Sequence, residues 1–160
     1  AQVDRFMLRL SLGYPDYDAQ MSILRARQDN NPLDDVKCAI TRDELVKMQR
    51  EVSAVAARDA ILDYITRLTM ATRAHAAVEV GVSPRGALFL DRAAKAWAYM
   101  EGRDYVTGAD VQYVFRDVCA HRVLLKQDAV GADVDSVLGE LLKKVENPDR
   151  HGLLSGMFKR

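Results

Sequence analysis

"GVSPRGALFLDRAAKAWAYMEG", residues 81–102, decides the fold class of this chain. Ser83 carries a hydroxyl that can accept from an unpaired N–H at a helix start, and Pro84 suits the first helical position, where its missing N–H would have had no partner. Gly102 is the residue best able to take a left-handed conformation after the last turn. Between these marks, at about 100° per residue, Arg85, Asp91, Arg92 and Lys95 fall in one sector roughly a third of a turn wide. Ala87, Leu90, Ala93, Ala94, Trp97, Ala98 and Met100 cover the rest. A helix apolar over most of its circumference belongs at the centre of a bundle, and its alanines let neighbouring helices approach closely. Arg85 is the exception that needs a reason. The exposed amides of a first helical turn amount to roughly half a positive charge, so a cation there costs on the order of a few tenths of a kcal/mol unless an anion offsets it.

Outward from that helix the pattern stays helical. Ile61, Tyr64, Ile65, Leu68 and Ala71 lie at helical spacing within residues 57–75, and Thr41 with Glu44 forms a capping-box pattern ahead of an earlier helix. A shorter helix is predicted over 16–27, with Met21 and Leu24 on one face, and "DNNPLDD", residues 29–35, reads as a turn-rich linker. Beyond Gly102, Thr107 caps a helix predicted to reach Val123 through Val111, Val114, Phe115 and Val118. Val134, Val137, Leu138, Leu141, Leu142 and Val145 mark a last helix over 133–145, which Pro148 ends. The alternation of Phe6, Leu8, Leu10 and Leu12 with Met7, Arg9 and Ser11 predicts one short strand before the Gly13-Tyr14-Pro15 break. The expected architecture is therefore all-α, a helical bundle with a short N-terminal strand. Residues 147–160 fit no predicted element.

Composition narrows the function. The chain has 160 residues, 49% of them hydrophobic, and no run of about 18 consecutive apolar positions, so a soluble domain without a membrane span is expected. Its 23 basic and 23 acidic side chains cancel, which removes the overall attraction that non-specific nucleic-acid binding needs. Cys38 and Cys119 match neither a disulfide framework nor a zinc-ligand spacing; both read as packing residues in a reducing cytoplasm. None of the nine glycines is followed by lysine, so a phosphate-cradling loop of the G-x-x-x-x-G-K-[ST] type is absent. Asp43-Glu44 could be mistaken for a magnesium-binding acidic pair, but no buried strand precedes it and capping explains it better. His75, His121 and His151 are too scattered to suggest a metal site, and His121-Arg122 reads as a cation pair favoured by a helix C-terminus. The chain opens on Ala1 and runs straight into structured sequence, as expected of a piece of a longer protein.

Four stretches together carry a family resemblance: "VDRFMLRLSLGYP" from Val3, "YITRLTMATRAH" from Tyr64, the 81–111 segment ending "MEGRDYVTGADV", and "VCAHRV" from Val118. In this order and at these separations they resemble the C-terminal part of the MoxR group of AAA+ ATPases, over residues 1–146. The resemblance implies the end of a nucleotide-binding core over 1–13, a helical lid domain over 14–146 and a tail over 147–160. It implies that Arg85 is the sensor-2 arginine, reaching nucleotide phosphates, and that Arg5 is an arginine finger presented in trans to the neighbouring subunit. It also implies that Gly13-Tyr14-Pro15 is the hinge, with Tyr14 beside the adenine. ATP and Mg2+ would then be the cofactors of the full-length parent. This fragment, lacking the phosphate loop and metal-binding acids, should neither hydrolyse ATP nor hold it tightly. Implied partners are the AAA+ core of the same protein, neighbouring subunits of a hexamer, and proteins with von Willebrand factor A domains served in chaperone-like maturation. The competing readings are a surface arginine at position 85, a structural Arg5, and a helical nucleic-acid-binding or protein-interaction module with no ATPase role.

Overall fold

Six α-helices make up most of the computed structural model, which describes residues 2–29 and 31–150. They are α1 (Tyr17–Asp29), α2 (Arg42–Ala54), α3 (Asp59–Ala74), α4 (Pro84–Met100), α5 (Gly108–Cys119) and α6 (Val134–Lys144). The predicted caps are in place. Thr41 and Glu44 exchange the two predicted capping-box hydrogen bonds at 2.7 and 3.3 Å, and Asp133, which was not predicted as a cap, accepts from Ser136 N–H at 2.9 Å. Gly102 ends α4 at φ +74°, the left-handed conformation expected of it.

The chain divides into two units, one of residues 2–9 with 50–150 and the other Leu10–Gln49. In the first, the predicted periodicities become one core: Ile61, Tyr64 and Leu68 of α3, Leu90, Ala94 and Ala98 of α4, Val111, Phe115 and Val118 of α5, and Leu138 of α6 are wholly buried. α4 has its most extensive helix contact with α5, and its buried Ala93, Ala94 and Ala98 carry only a methyl group each, which lets neighbouring backbones approach closely. Trp97 of α4 stacks on Tyr113 of α5 with ring centroids 3.8 Å apart. In the second unit, α1 starts where Asp16 Oδ1 accepts from Ala19 N–H at 2.8 Å. Pro32–Asp35 forms a 3-10 turn in the predicted linker. Among its described side chains none is buried, and only Met21, Val46 and Met48 are half-buried.

Four expectations need correction. The strand predicted over 6–12 does not form; residues 3–5 make a 3-10 turn and the following segment has no ladder partner, only Arg9 N–H donating to the Asp117 carbonyl at 2.9 Å. Alternation alone cannot make a strand without a second edge to pair with. The described sheet is instead a short antiparallel pair of β1 (Val78–Val80) and β2 (Leu124–Leu125), too brief to show a period in the sequence. α5 stops at Cys119 rather than Val123, tightening into a 3-10 turn over Ala120–Arg122 that feeds β2. Cys119 is buried as expected, its thiol pushed up to about 12 by burial, but Cys38 is exposed, its thiol directed at the Ile40 carbonyl.

The start of the unplaced tail also has a place. Asn147 is buried against Gly108, where an added Cβ would lie 2.0 Å from Asn147 Oδ1. The Asp149 carboxylate accepts from Gly108 N–H, so the segment closes over the first turn of α5. Residues 151–160, including His151 and the "GLLSGMF" stretch, lie outside the described residues.

Candidate functional site

The start of α4 is held from below by α3. Val82 N–H donates to Thr72 Oγ1 at 2.9 Å and Arg73 Nε donates to the Val82 carbonyl at 2.7 Å, which fixes the chain just ahead of the cap. Ser83 Oγ then accepts from Gly86 N–H at 3.2 Å, the predicted N-cap, and Pro84 takes the first helical position. Gly86 leaves the space its neighbours occupy: a Cβ would meet Val82 Cγ1 at 2.5 Å and Arg122 Cδ at 2.9 Å.

The anion that the helix start called for is Asp4. From the 3-10 turn Val3–Arg5 its carboxylate reaches the cap, where both oxygens lie 3.1 Å from Ser83 Oγ, which donates to it. A carboxylate at this end is favoured by the positive end of the helix dipole. Arg85 Nη1 lies 3.9 Å from Asp4 Oδ2, and the Arg85 side chain is 55% exposed, so this ion pair is long and open to solvent.

Arg122 is the residue that composition and spacing did not reveal. Its side chain is 1% exposed and its Nε sits 3.2 Å from Asp4 Oδ1. Nη2 donates to the Phe6 carbonyl at 2.5 Å and the Asp4 carbonyl at 3.3 Å, while Nη1 donates to the Met7 carbonyl at 3.4 Å and to the Val118 carbonyl. The guanidinium lies over the Phe89 ring at 5.2 Å from its centroid, and His121 Nε2 approaches the same Phe6 carbonyl at 3.0 Å. Burial lowers the Arg122 pKa, and the Asp4 charge works against that loss. The helix-end reading of His121-Arg122 is thus corrected: the Val118 carbonyl does belong to the last turn of α5, but most of the donors serve the N-terminal segment. The available signal was an arginine set inside the apolar run from Val118 to Leu125.

The expected site residues are placed as follows. Arg85 and the segment bearing Arg5 come together at the start of α4. Arg5 itself is exposed and, among the described residues, has no ion pair; its neighbour Asp4 is turned to Ser83, Arg85 and Arg122. Tyr14 belongs to the second unit, where it is 100% exposed beside Gly13 at φ +70°. Among the described residues no three His, Cys, Asp or Glu side chains are grouped to hold a metal ion, and no helix is long and apolar enough to cross a membrane.

A second arginine–carboxylate pair explains "EGRDYVTGAD". Arg103 grips Asp110 with two hydrogen bonds, 2.5 and 2.7 Å, while Asp110 also accepts from Thr107 N–H at 2.7 Å to complete the capping box of α5. Burial raises the Asp110 carboxyl, but Arg103 and Thr107 together outweigh it and hold the group below its ordinary range.

Residues 70–141 match the AAA lid domain family. The chain is 35% identical over 150 residues to "Uncharacterized protein YeaC" of Bacillus subtilis, covering 92% of this chain and 47% of that protein. It is 30% identical to "Chaperone MoxR1" of Mycobacterium tuberculosis, covering 92% of this chain and 42% of that one. A 49-residue stretch is 51% identical to "Protein MoxR" of Methylorubrum extorquens, 31% of this chain and 14% of that protein. The solved structure of a putative ATPase from Cytophaga hutchinsonii superposes with a TM-score of 0.78 at 29% identity, over 91% of this chain and 48% of that one. The chain therefore spans about half the length of the proteins it matches.

Proposed function

The chain carries the lid domain of a MoxR-like AAA+ ATPase, and from that premise we propose that it senses the state of the nucleotide in the parent protein. Arg85 is the sensor-2 residue. The observation that carries this reading is its half-exposed guanidinium at the start of α4, tied to Asp4 only at 3.9 Å and so able to exchange that carboxylate for phosphate oxygens at little cost. The positive end of the α4 dipole adds to the attraction for an anion. Bound between lid and core, ATP with Mg2+ supplies the phosphoryl group, and Arg85 neutralises charge on its oxygens. Exposed Arg5 is the arginine finger, offered to the nucleotide of the adjacent subunit in a hexameric ring. Residues 1–13 end the nucleotide-binding core, 14–146 form the lid and 147–160 the tail. Tyr14, with Gly13 giving the backbone its bend, faces the adenine at the hinge. The parent works in the cytoplasm as a chaperone-like factor, as the name of its mycobacterial relative suggests, on partners that include proteins with von Willebrand factor A domains.

Steady-state ATP hydrolysis by the full-length parent tests this, with Arg85→Ala and Arg5→Ala compared with wild type and ring assembly checked in each. Each variant is expected to lose about ten-fold or more in turnover with assembly intact. Unchanged turnover in the Arg85 variant would leave that residue a surface arginine and remove the sensor role.

A further inference from the structure

Arg122 binds the N-terminal segment to α4 through most of its donors. It gathers three carbonyls of that segment, those of Asp4, Phe6 and Met7, together with the Asp4 carboxylate. Its stem crosses the first turn of α4 where Gly86 leaves room, one residue from Arg85, and its guanidinium rests on Phe89 of the same helix. Asp4 completes the connection from the other side, because Ser83, the cap of α4, donates to its carboxylate. Arg5 is the neighbour of Asp4 in the chain, and Arg85 follows Ser83 by two residues. Both arginines therefore stand on one fastened unit whose joint is Asp4.

From this we propose that Asp4 and Arg122 are positioning residues that couple the two arginines, so that engagement of Arg85 by nucleotide sets how Arg5 is presented to the neighbouring subunit. The inference rests on the sensor and finger roles given above. When Arg85 leaves Asp4 for a phosphate, the carboxylate loses its third partner and is shared by Arg122 and Ser83 alone. Its orientation, and with it the turn Val3–Arg5, then follows the position of α4. Nothing in the turn itself could hold Arg5 in place: its backbone makes only two 3.2 Å hydrogen bonds, from Arg5 and Phe6 N–H, and its own cap uses no side chain. A buried guanidinium donating to fixed carbonyls transmits displacement because leaving any of those groups unpaired is unfavourable.

Two substitutions in the full-length parent separate coupling from folding. Asp4→Asn keeps the shape and the acceptor for Ser83 but removes the charge that faces Arg122 and Arg85. Arg122→Lys keeps the charge that faces Asp4 but, as a single ammonium in place of the planar fork, cannot reach the Asp4, Phe6 and Met7 carbonyls together. Nucleotide affinity, kcat and the Hill coefficient for ATP are measured in assembled rings, beside Arg85→Ala and Arg5→Ala. The coupling role predicts nucleotide affinity within about two-fold of wild type, kcat down about ten-fold, as expected of a misplaced transition-state group, and a Hill coefficient lowered toward that of independent subunits. A merely structural role would lower assembly or affinity and leave the Hill coefficient of the remaining rings where it was, which overturns the inference. Full kcat and cooperativity in both variants also overturn it. If Arg5→Ala and Arg85→Ala still lose turnover in that case, the sensor and finger roles stand and only the coupling fails; if they do not, both fall together.

Discussion

At the start of α5, Arg103 meets Asp110 through two hydrogen bonds no longer than 2.7 Å, whereas at the start of α4 Arg85 stops 3.9 Å short of Asp4. The two helix starts use the same parts: a hydroxyl cap, a carboxylate close to it, an arginine, and a glycine where another side chain presses in. At α5 the arginine is closed onto a carboxylate that is 4% exposed, and Asn147 with Asp149 covers the turn. At α4 the arginine that fills that closing position is Arg122, arriving from beyond α5, and Arg85 is left over, half in solvent. The difference separates an arginine used for stability from one available for a ligand. What marks the available one is incomplete satisfaction by its own protein, in a place where the helix already favours an anion.

The largest expected effect lies on the closed side. Arg103→Met leaves Asp110 buried without its main partner and should cost about 3 kcal/mol, since breaking a buried pair from one side strands a charge. Denaturant unfolding followed through the fluorescence of Trp97, the single tryptophan, measures it at the α4–α5 contact. The same pair sets a pH dependence. Asp110 is held below its unfolded value, so its contribution is complete above about pH 4 and is lost as pH falls through the lower, folded value. Wild type should therefore lose stability on acidification below about pH 4, and Asp110→Asn should be less stable at neutral pH with a flatter acid limb. Equal acid limbs in the two proteins would show that Asp110 is not the carboxylate that closes α5.

Glycine substitutions come next. Gly108→Ala drives a Cβ to 2.0 Å from Asn147 Oδ1, and relief requires the 147–150 segment to lift from the helix start, at about 2 kcal/mol. Gly86→Ala meets Val82 Cγ1 at 2.5 Å and the Arg122 stem at 2.9 Å, side-chain atoms of two buried residues that must each shift while the backbone stays in place, so about 1 kcal/mol is expected. Thermal unfolding of the two variants should rank them in that order; the reverse order would mean that the start of α4 is the more rigid of the two.

The caps of both helices were legible because they are local. Ser83, Thr107 and Thr41 each serve an N–H three residues away, so spacing alone identifies them. Arg85 was legible as a cation on the wrong end of a helix, which is also local. Asp4 and Arg122 were not, because their contact joins residues 118 apart in sequence and a buried guanidinium has no period. The strand expected over 6–12 failed for the opposite reason: its alternation was real, but pairing depends on a second edge that lies outside the segment. Arg5 and Tyr14 carry no local signal at all and entered through family resemblance, and neither is distinguished by a contact of its own.

The smallest expected effect is the most discriminating. Arg85→Ala removes two opposed contributions of a few tenths of a kcal/mol each, the unfavourable cation at the helix start and the solvent-screened attraction to Asp4. Stability should therefore change by no more than about 0.5 kcal/mol in either direction. Asp4 would keep Arg122 and Ser83, so the helix start retains its anion. Denaturation of Arg85→Ala beside Arg103→Met makes the comparison direct: a large loss at 103 and almost none at 85 fits one arginine closed onto its own fold and one held open. A loss at Arg85 approaching that at Arg103 would mean that the 3.9 Å contact is a structural ion pair after all, and that the start of α4 is as closed as the start of α5.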